Sequence, residues 1–166
     1  MIFEKCLLLV ISGTAVCMDF ACSRINNRWN LFCLAAGTAY QIRIRGPEGL
    51  LYAAAGAACA FSVLLLLFLF RMLGAGDIKL FCALGSALGP SRILKCIFGA
   101  FVFGAVISLI RMIHCGIAEE RLRFFGTYVR ECLRSGGIAP YRKPGMDRPE
   151  NIHFTLPVFL SVLFIP

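Results

Sequence analysis

The sequence predicts an all-α, polytopic membrane protein: six transmembrane helices plus one amphipathic helix on the cytoplasmic surface. Three observations carry that expectation. Mean hydropathy is +0.80 and 59% of the 166 residues are apolar, whereas a soluble domain is usually about half apolar or less. The excess is gathered into blocks at 6–18, 31–42, 50–70, 78–90, 93–113 and 152–165, several of which approach the roughly 20 residues a helix needs to cross the hydrocarbon. The basic residues are shared unevenly among the segments that join those blocks. A soluble helical bundle with a very apolar core is the competing class. "AFSVLLLLFLF" (60–70) argues against it, because it has no polar face to turn to water.

The first helix is expected over 3–18. Its opening, "MIFEK", carries one acid and one base and so lacks the positive bias of a signal peptide; no small-residue cleavage site follows, and the block reads as a retained span. Polar and basic residues in "DFACSRINNRWN" (19–30) end it. The second helix, 29–42, is short, with Trp29 at headgroup depth. "RIRGPEG" (43–49) is a turn built on Gly46, Pro47 and Gly49. The third helix, 50–70, is the strongest; "RMLGAGD" (71–77) interrupts the apolar run and a fourth helix follows to about 88. "GPSR" (89–92) is a tight turn before the fifth helix, 93–113.

Residues 116–150 form a basic cytoplasmic segment within what reads as a single membrane-embedded domain, 1–166. In it, "AEERLRFFGTYVRECLR" (118–134) sets Leu122, Phe125, Val129 and Leu133 at helical spacing. That pattern fits an amphipathic helix lying on the inner leaflet; a solvated connector is the plainer alternative. "SGGIAPYRKPGMDRPEN" (135–151) is a Gly/Pro-rich loop, and a short sixth helix over 152–165 closes the bundle.

The formal net charge is +8. With the segment holding Asp77 taken as cytoplasmic and the helices alternating, 12 of the 17 Lys and Arg residues fall on the cytoplasmic side and 5 outside. This matches the positive-inside tendency, so the basic excess sets orientation and contacts the anionic headgroups of the lipid bilayer. Nucleic acid is not an expected partner. The nine cysteines are scattered singly with no CxxC pair, mostly inside apolar runs. There a thiol packs as a small hydrophobe, and neither a metal site nor a cofactor is expected.

Of nine acids, only Asp19 and Asp77 abut apolar spans on the same predicted face. A carboxylate at membrane depth costs about 2.5–3.5 kcal/mol on insertion scales, and such groups face a bundle interior or a wet cavity. Two that meet there cannot both ionise easily, so the pair would hold one proton. The ionised partner can then take a proton from water while the other donates to a peptide carbonyl, which is general acid–base hydrolysis without a covalent intermediate. Gly74 and Gly76 would let the backbone bend and a substrate strand approach. The plainer readings are that Asp77 is an N-cap and Asp19 a polar residue at a helix end. Lys79 would bias the pair's protonation or fix a substrate carbonyl or carboxylate, or else snorkel to the headgroups.

"GAGDIKLFCALG" (74–85) closely resembles the GxGD motif of type IV prepilin peptidases, aspartic intramembrane proteases that cut pilin leader peptides. The stretch after the first helix also resembles that family's first motif, with Asp19 followed by Arg24, Ile25, Asn26 and Asn27; Asn26 stands where the family usually has Pro. "IHFTLPVFLSVL" (152–163), with Pro157, resembles the final helix. The resemblance implies that Asp19 and Asp77 are the catalytic dyad, facing the cytoplasm of a bacterial inner membrane, with Gly74, Gly76, Lys79, Ile25 and Asn27 as supporting motif residues. It implies a substrate as partner: a prepilin or pseudopilin with a short basic leader before an apolar helix, commonly cut after Gly. The methyltransferase domain of larger members, with its paired CxxC, has no counterpart in the sequence, which is the pattern of the small peptidases of tight-adherence (Flp) pilus systems. Signal-peptide-peptidase-like and presenilin-like proteases share GxGD but add Pro-Ala-Leu, where this sequence has Thr155-Leu156-Pro157. A non-enzymatic alternative is a small transporter or pilus-assembly scaffold whose two acids bind protons or cations.

Overall fold

A computed structural model describes residues 2–22, 26–69, 73–114 and 154–164. Six helices and no strand occur among them: α1 (Ile2–Cys22), α2 (Asn27–Arg45), α3 (Glu48–Leu69), α4 (Ala75–Leu88), α5 (Pro90–His114) and α6 (Thr155–Phe164). The expected amphipathic helix at 118–134 and Ile25 lie outside the described residues. Two compact units divide the chain, Met1–Gly104 with His153–Pro166 as one and Ala105–Ile152 as the other. The fold described below is that of the first unit.

The helices outrun the apolar blocks that announced them, because helical hydrogen bonding continues where hydrophobicity stops. Asp19 lies inside α1, which runs on to Cys22. Asn26 caps α2: its backbone is extended (φ −67°, ψ 130°) and its side chain accepts a hydrogen bond from the Arg28 amide at 3.0 Å. A φ near −67° is the value a proline ring imposes. Asn26 thus keeps the backbone that a Pro would set and adds a cap that Pro has no side chain to make. The connection after α2 is Gly46 (φ 66°) and Pro47; Gly49 belongs to α3 and packs against the α2 backbone at Gln41. The expected turn at 89–92 shrinks to one residue. Gly89 (φ 78°) ends α4, its amide donating to the Gly85 carbonyl at 2.8 Å, and Pro90 opens α5, a first-turn position that suits its missing N–H.

α4 is the centre of the unit, packed by α1, α2 and α3. Leu80, Phe81, Ala83, Leu84, Ala87 and Leu88 are completely buried. Its contact with α3 is backbone against backbone: a Cβ on Gly85 would stand 2.6 Å from the Gly56 carbonyl oxygen, closer than real Cβ atoms approach. Small residues of this kind let helices pack without a water-driven force between them. α1 packs against α6.

Polar ties gather at one end of the unit. Arg92 Nη1 meets Glu4 Oε1 at 2.6 Å, the Tyr40 hydroxyl donates to Glu4 Oε2 at 3.4 Å, and Gln41 Nε2 donates to the Ala87 carbonyl. The starts of α1 and α5 and the ends of α2 and α4 therefore share this end, so α1 to α5 run alternately up and down. Glu48–Leu69 and Pro90–Arg111 are long and apolar enough to cross a membrane. Within α3, Leu51, Leu66 and Leu69 are 74%, 61% and 69% exposed.

Candidate active site

Asp19 and Asp77 occupy the other end. Asp19 is in the last turn of α1, half-buried, and its Oδ2 accepts a hydrogen bond from Thr155 Oγ1 at 2.7 Å. Thr155 is 1% exposed and opens α6, so the first and last described helices meet at this carboxylate. Asp77 is the third residue of α4, also half-buried. The N-cap of α4 is Gly74, which has no side chain to give (φ −78°, ψ 147°). The Asp77 side chain lies against Gly74, where a Cβ would stand 3.2 Å from its Oδ2, and the Asp77 amide donates to the Gly74 carbonyl at 3.2 Å. Asp77 is therefore not an N-cap. It occupies the third helical position, where the helix dipole favours a negative charge.

Remote in sequence, the two acids come close enough for the charge of Asp19 to act on Asp77. Apolar core lies directly beneath them: Ala15 and Phe81 are fully buried, and the Phe81 ring sits 6.3 Å from that of Phe154. Two carboxyls at the edge of an apolar core can hold and move a proton between them and a third group.

The other expected residues divide. Gly74 and Gly76 both have ordinary negative φ, so no left-handed backbone requires them; a Cβ on Gly76 would meet nothing within 4 Å. Lys79 Nζ donates to Asn27 Oδ1 at 2.6 Å, which ties the start of α4 to the start of α2. Residues two apart on a helix point about 200° away from each other, so Lys79 and Asp77 leave α4 on opposite faces. The structure thus brings together Asp19 with Asp77, and Asn27 with Lys79, as two separate pairs.

Beside the second pair a cavity of about 600 Å³ opens between α2, α3 and α4, and neither acid lines it. Its lining includes Asn27, Asn30 and Leu34 of α2, Phe61 and Leu65 of α3, and Ala75, Ile78 and Lys79 of α4. Asn30 and Thr155 are the polar residues that reading the sequence missed. Each was visible only as a polar residue inside an apolar run, a signal shared with several serines and threonines that merely bond their own helix, such as Ser12 to the Leu8 carbonyl at 2.7 Å.

A model of the type IV leader peptidase family matches residues 6–109, a span that takes in both acids and the whole of α2, α3 and α4. The chain belongs to that family. The likeness carried by "GAGDIKLFCALG" is borne out at that level, and a leader peptidase is a protease by class. Comparison with curated proteins and with solved structures returned no match. Thr155 falls beyond the matched span of the leader peptidase model, so its contact with Asp19 is known from the fold alone.

Proposed function

We propose that this leader peptidase is an intramembrane aspartic endopeptidase, that Asp19 and Asp77 are its catalytic dyad, and that it removes a short basic leader from a prepilin-like protein at the cytoplasmic face of a bacterial inner membrane. The observation that carries the reading is the placement of Asp19, in the last turn of α1, and Asp77, in the first turn of α4, at the same end of two packed helices. The ionised carboxylate takes a proton from water as the water oxygen bonds to the scissile carbonyl carbon. The protonated partner gives its proton to the carbonyl oxygen, which yields a neutral tetrahedral diol. Collapse re-forms the C=O, breaks the C–N bond, and passes a proton to the departing amine. The dyad ends with one proton, as it began. The Thr155 hydroxyl holds the Asp19 carboxyl in orientation and lies outside the proton path.

Six membrane crossings fit the alternation of α1 to α5 and the apolar surfaces of α3 and α5. Leu66 and Leu69 on α3, with Phe98 on α5 at 72% exposed, would be costly against water and cost nothing against acyl chains. In proteoliposomes, Asp19→Asn and Asp77→Asn should each lower cleavage of a leader-bearing prepilin by roughly a thousandfold or more, because members of one catalytic unit are not additive. Expression and helix content should be unchanged. Two variants that still cut would end the dyad reading, and ion flux lost in the same variants would favour a transporter.

A further inference from the structure

Asn30 is 5% exposed and lines the α2–α3–α4 cavity, yet neither its Oδ1 nor its Nδ2 has a hydrogen-bond partner among the described residues. Leaving a buried polar group unmet is costly, and such groups in native proteins call for an explanation. The amide presents one donor and one acceptor side by side. A peptide unit in an extended chain presents the matching acceptor and donor. A lipid ester offers acceptors only, and a helical segment has already paired its own amides. The walls nearby are apolar, with Leu34, Phe61 and Leu65, and the volume of about 600 Å³ lies within the roughly 300–1,000 Å³ of ligand sites.

The first turn of α4 stands between this cavity and the acids. Ala75 lines the cavity, while Asp77 lies within reach of the Asp19 charge. Successive residues step about 100° around a helix, so Ala75, Gly76 and Asp77 wrap the first turn of α4 from one site to the other. Gly74 and Ala75 are exposed, and the space beside Gly76 is open. Between the two sites, the first turn of α4 offers only the Ala75 methyl group and the bare backbone of Gly74 and Gly76. Asn30 is the fourth residue of α2 and Asp77 the third of α4, two helices whose starts are tied by Lys79 and Asn27, so both lie at a similar depth.

We propose that the α2–α3–α4 cavity is the substrate subsite: it holds an extended apolar stretch of the pre-protein beside the bond to be cut, pairs one of its peptide units with the Asn30 amide, and feeds the chain over Gly76 to the acids. This rests on the peptidase reading above. The test uses the full chain in proteoliposomes and a synthetic peptide with a basic leader, a glycine and an apolar helix. Asn30→Leu keeps the volume and removes both polar atoms. KM should rise about tenfold with kcat within threefold, and the thermal midpoint should stay level or rise, since no internal hydrogen bond is lost. An unchanged KM overturns the subsite. A photo-crosslinking residue at position 65, on an Asp77→Asn background, should capture the peptide, and the same residue at position 98 should not. Capture of phospholipid alone at 65, or equal peptide capture at both positions, overturns it too. A protein that cuts the peptide but shows neither effect loses the subsite and keeps the dyad. One that captures the peptide at 65 and never cuts it keeps the subsite and loses the peptidase reading.

Discussion

At the scale of single residues, the two acids differ in what holds them. Asp77 lies against its own helix start, where a Cβ on Gly74 would stand 3.2 Å from its Oδ2, whereas Asp19 accepts a hydrogen bond from Thr155, 136 residues further along the chain. A hydrogen bond to a charged group contributes about 1.5–3 kcal/mol. Thr155→Val, which keeps the shape and drops the hydroxyl, is therefore expected to lower kcat by roughly ten- to a hundredfold. KM should be unaltered, because Thr155 touches Asp19 and not the substrate, and Thr155→Ser should restore the rate. Steady-state kinetics on the three proteins checks this. The acids themselves were legible in the sequence, since a carboxylate beside an apolar run is rare and its cost is large. Their partners were not. A lone Thr or Asn in an apolar run carries no mark to separate a residue that bonds its own helix from one that reaches another.

At the scale of elements, the six apolar helices expected are found among the described residues, the amphipathic helix expected over 118–134 lies outside them, and the differences lie at the ends. Hydropathy reports where the hydrocarbon would end, and capping reports where the helix ends, so α1 runs past Asp19 and α5 begins early at Pro90. The reading of Gly74 and Gly76 as bends gives way to one in which Gly74 is an N-cap and Gly76 leaves open space. The glycines with a steric duty were in plain view but anonymous. Gly56 and Gly85 are one residue each in long apolar runs, and only the facing helix reveals their role. Gly85→Val is expected to push α3 from α4 and destabilise the protein by about 1–3 kcal/mol, the usual cost of overpacking. Gly76→Val, with nothing within 4 Å, should leave the thermal midpoint within about 1 kcal/mol of wild type, within the helix propensity scale for ordinary residues. Melting curves of the two detergent-solubilised variants make the comparison.

At the scale of the whole molecule, the order of helices in space differs from their order along the chain. α2, α3 and α4 are neighbours in both senses, whereas α1 packs with α6. Alternation was legible from charge, because the basic residues sort to one side only if the helices reverse each time; partner choice was not, because any apolar helix face suits any other. The alternation gives a direct expectation. A phosphatase reporter that works only outside the cytoplasm should be active when fused after Gly46 and inactive when fused after Leu73. Equal activity at the two sites would contradict six alternating spans.

The meeting of Thr155 with Asp19 also sets a clock. During synthesis both acids leave the ribosome well before Thr155, so on the dyad reading proposed above a nascent protein would carry both carboxyls before the hydrogen bond from α6 to Asp19 can form. A chain stopped before residue 155 should enter membranes and bind its α2–α3–α4 core normally, yet hydrolyse at no more than the rate of Thr155→Val. Timing of this kind would spare other membrane proteins emerging from neighbouring translocation sites from a half-built protease.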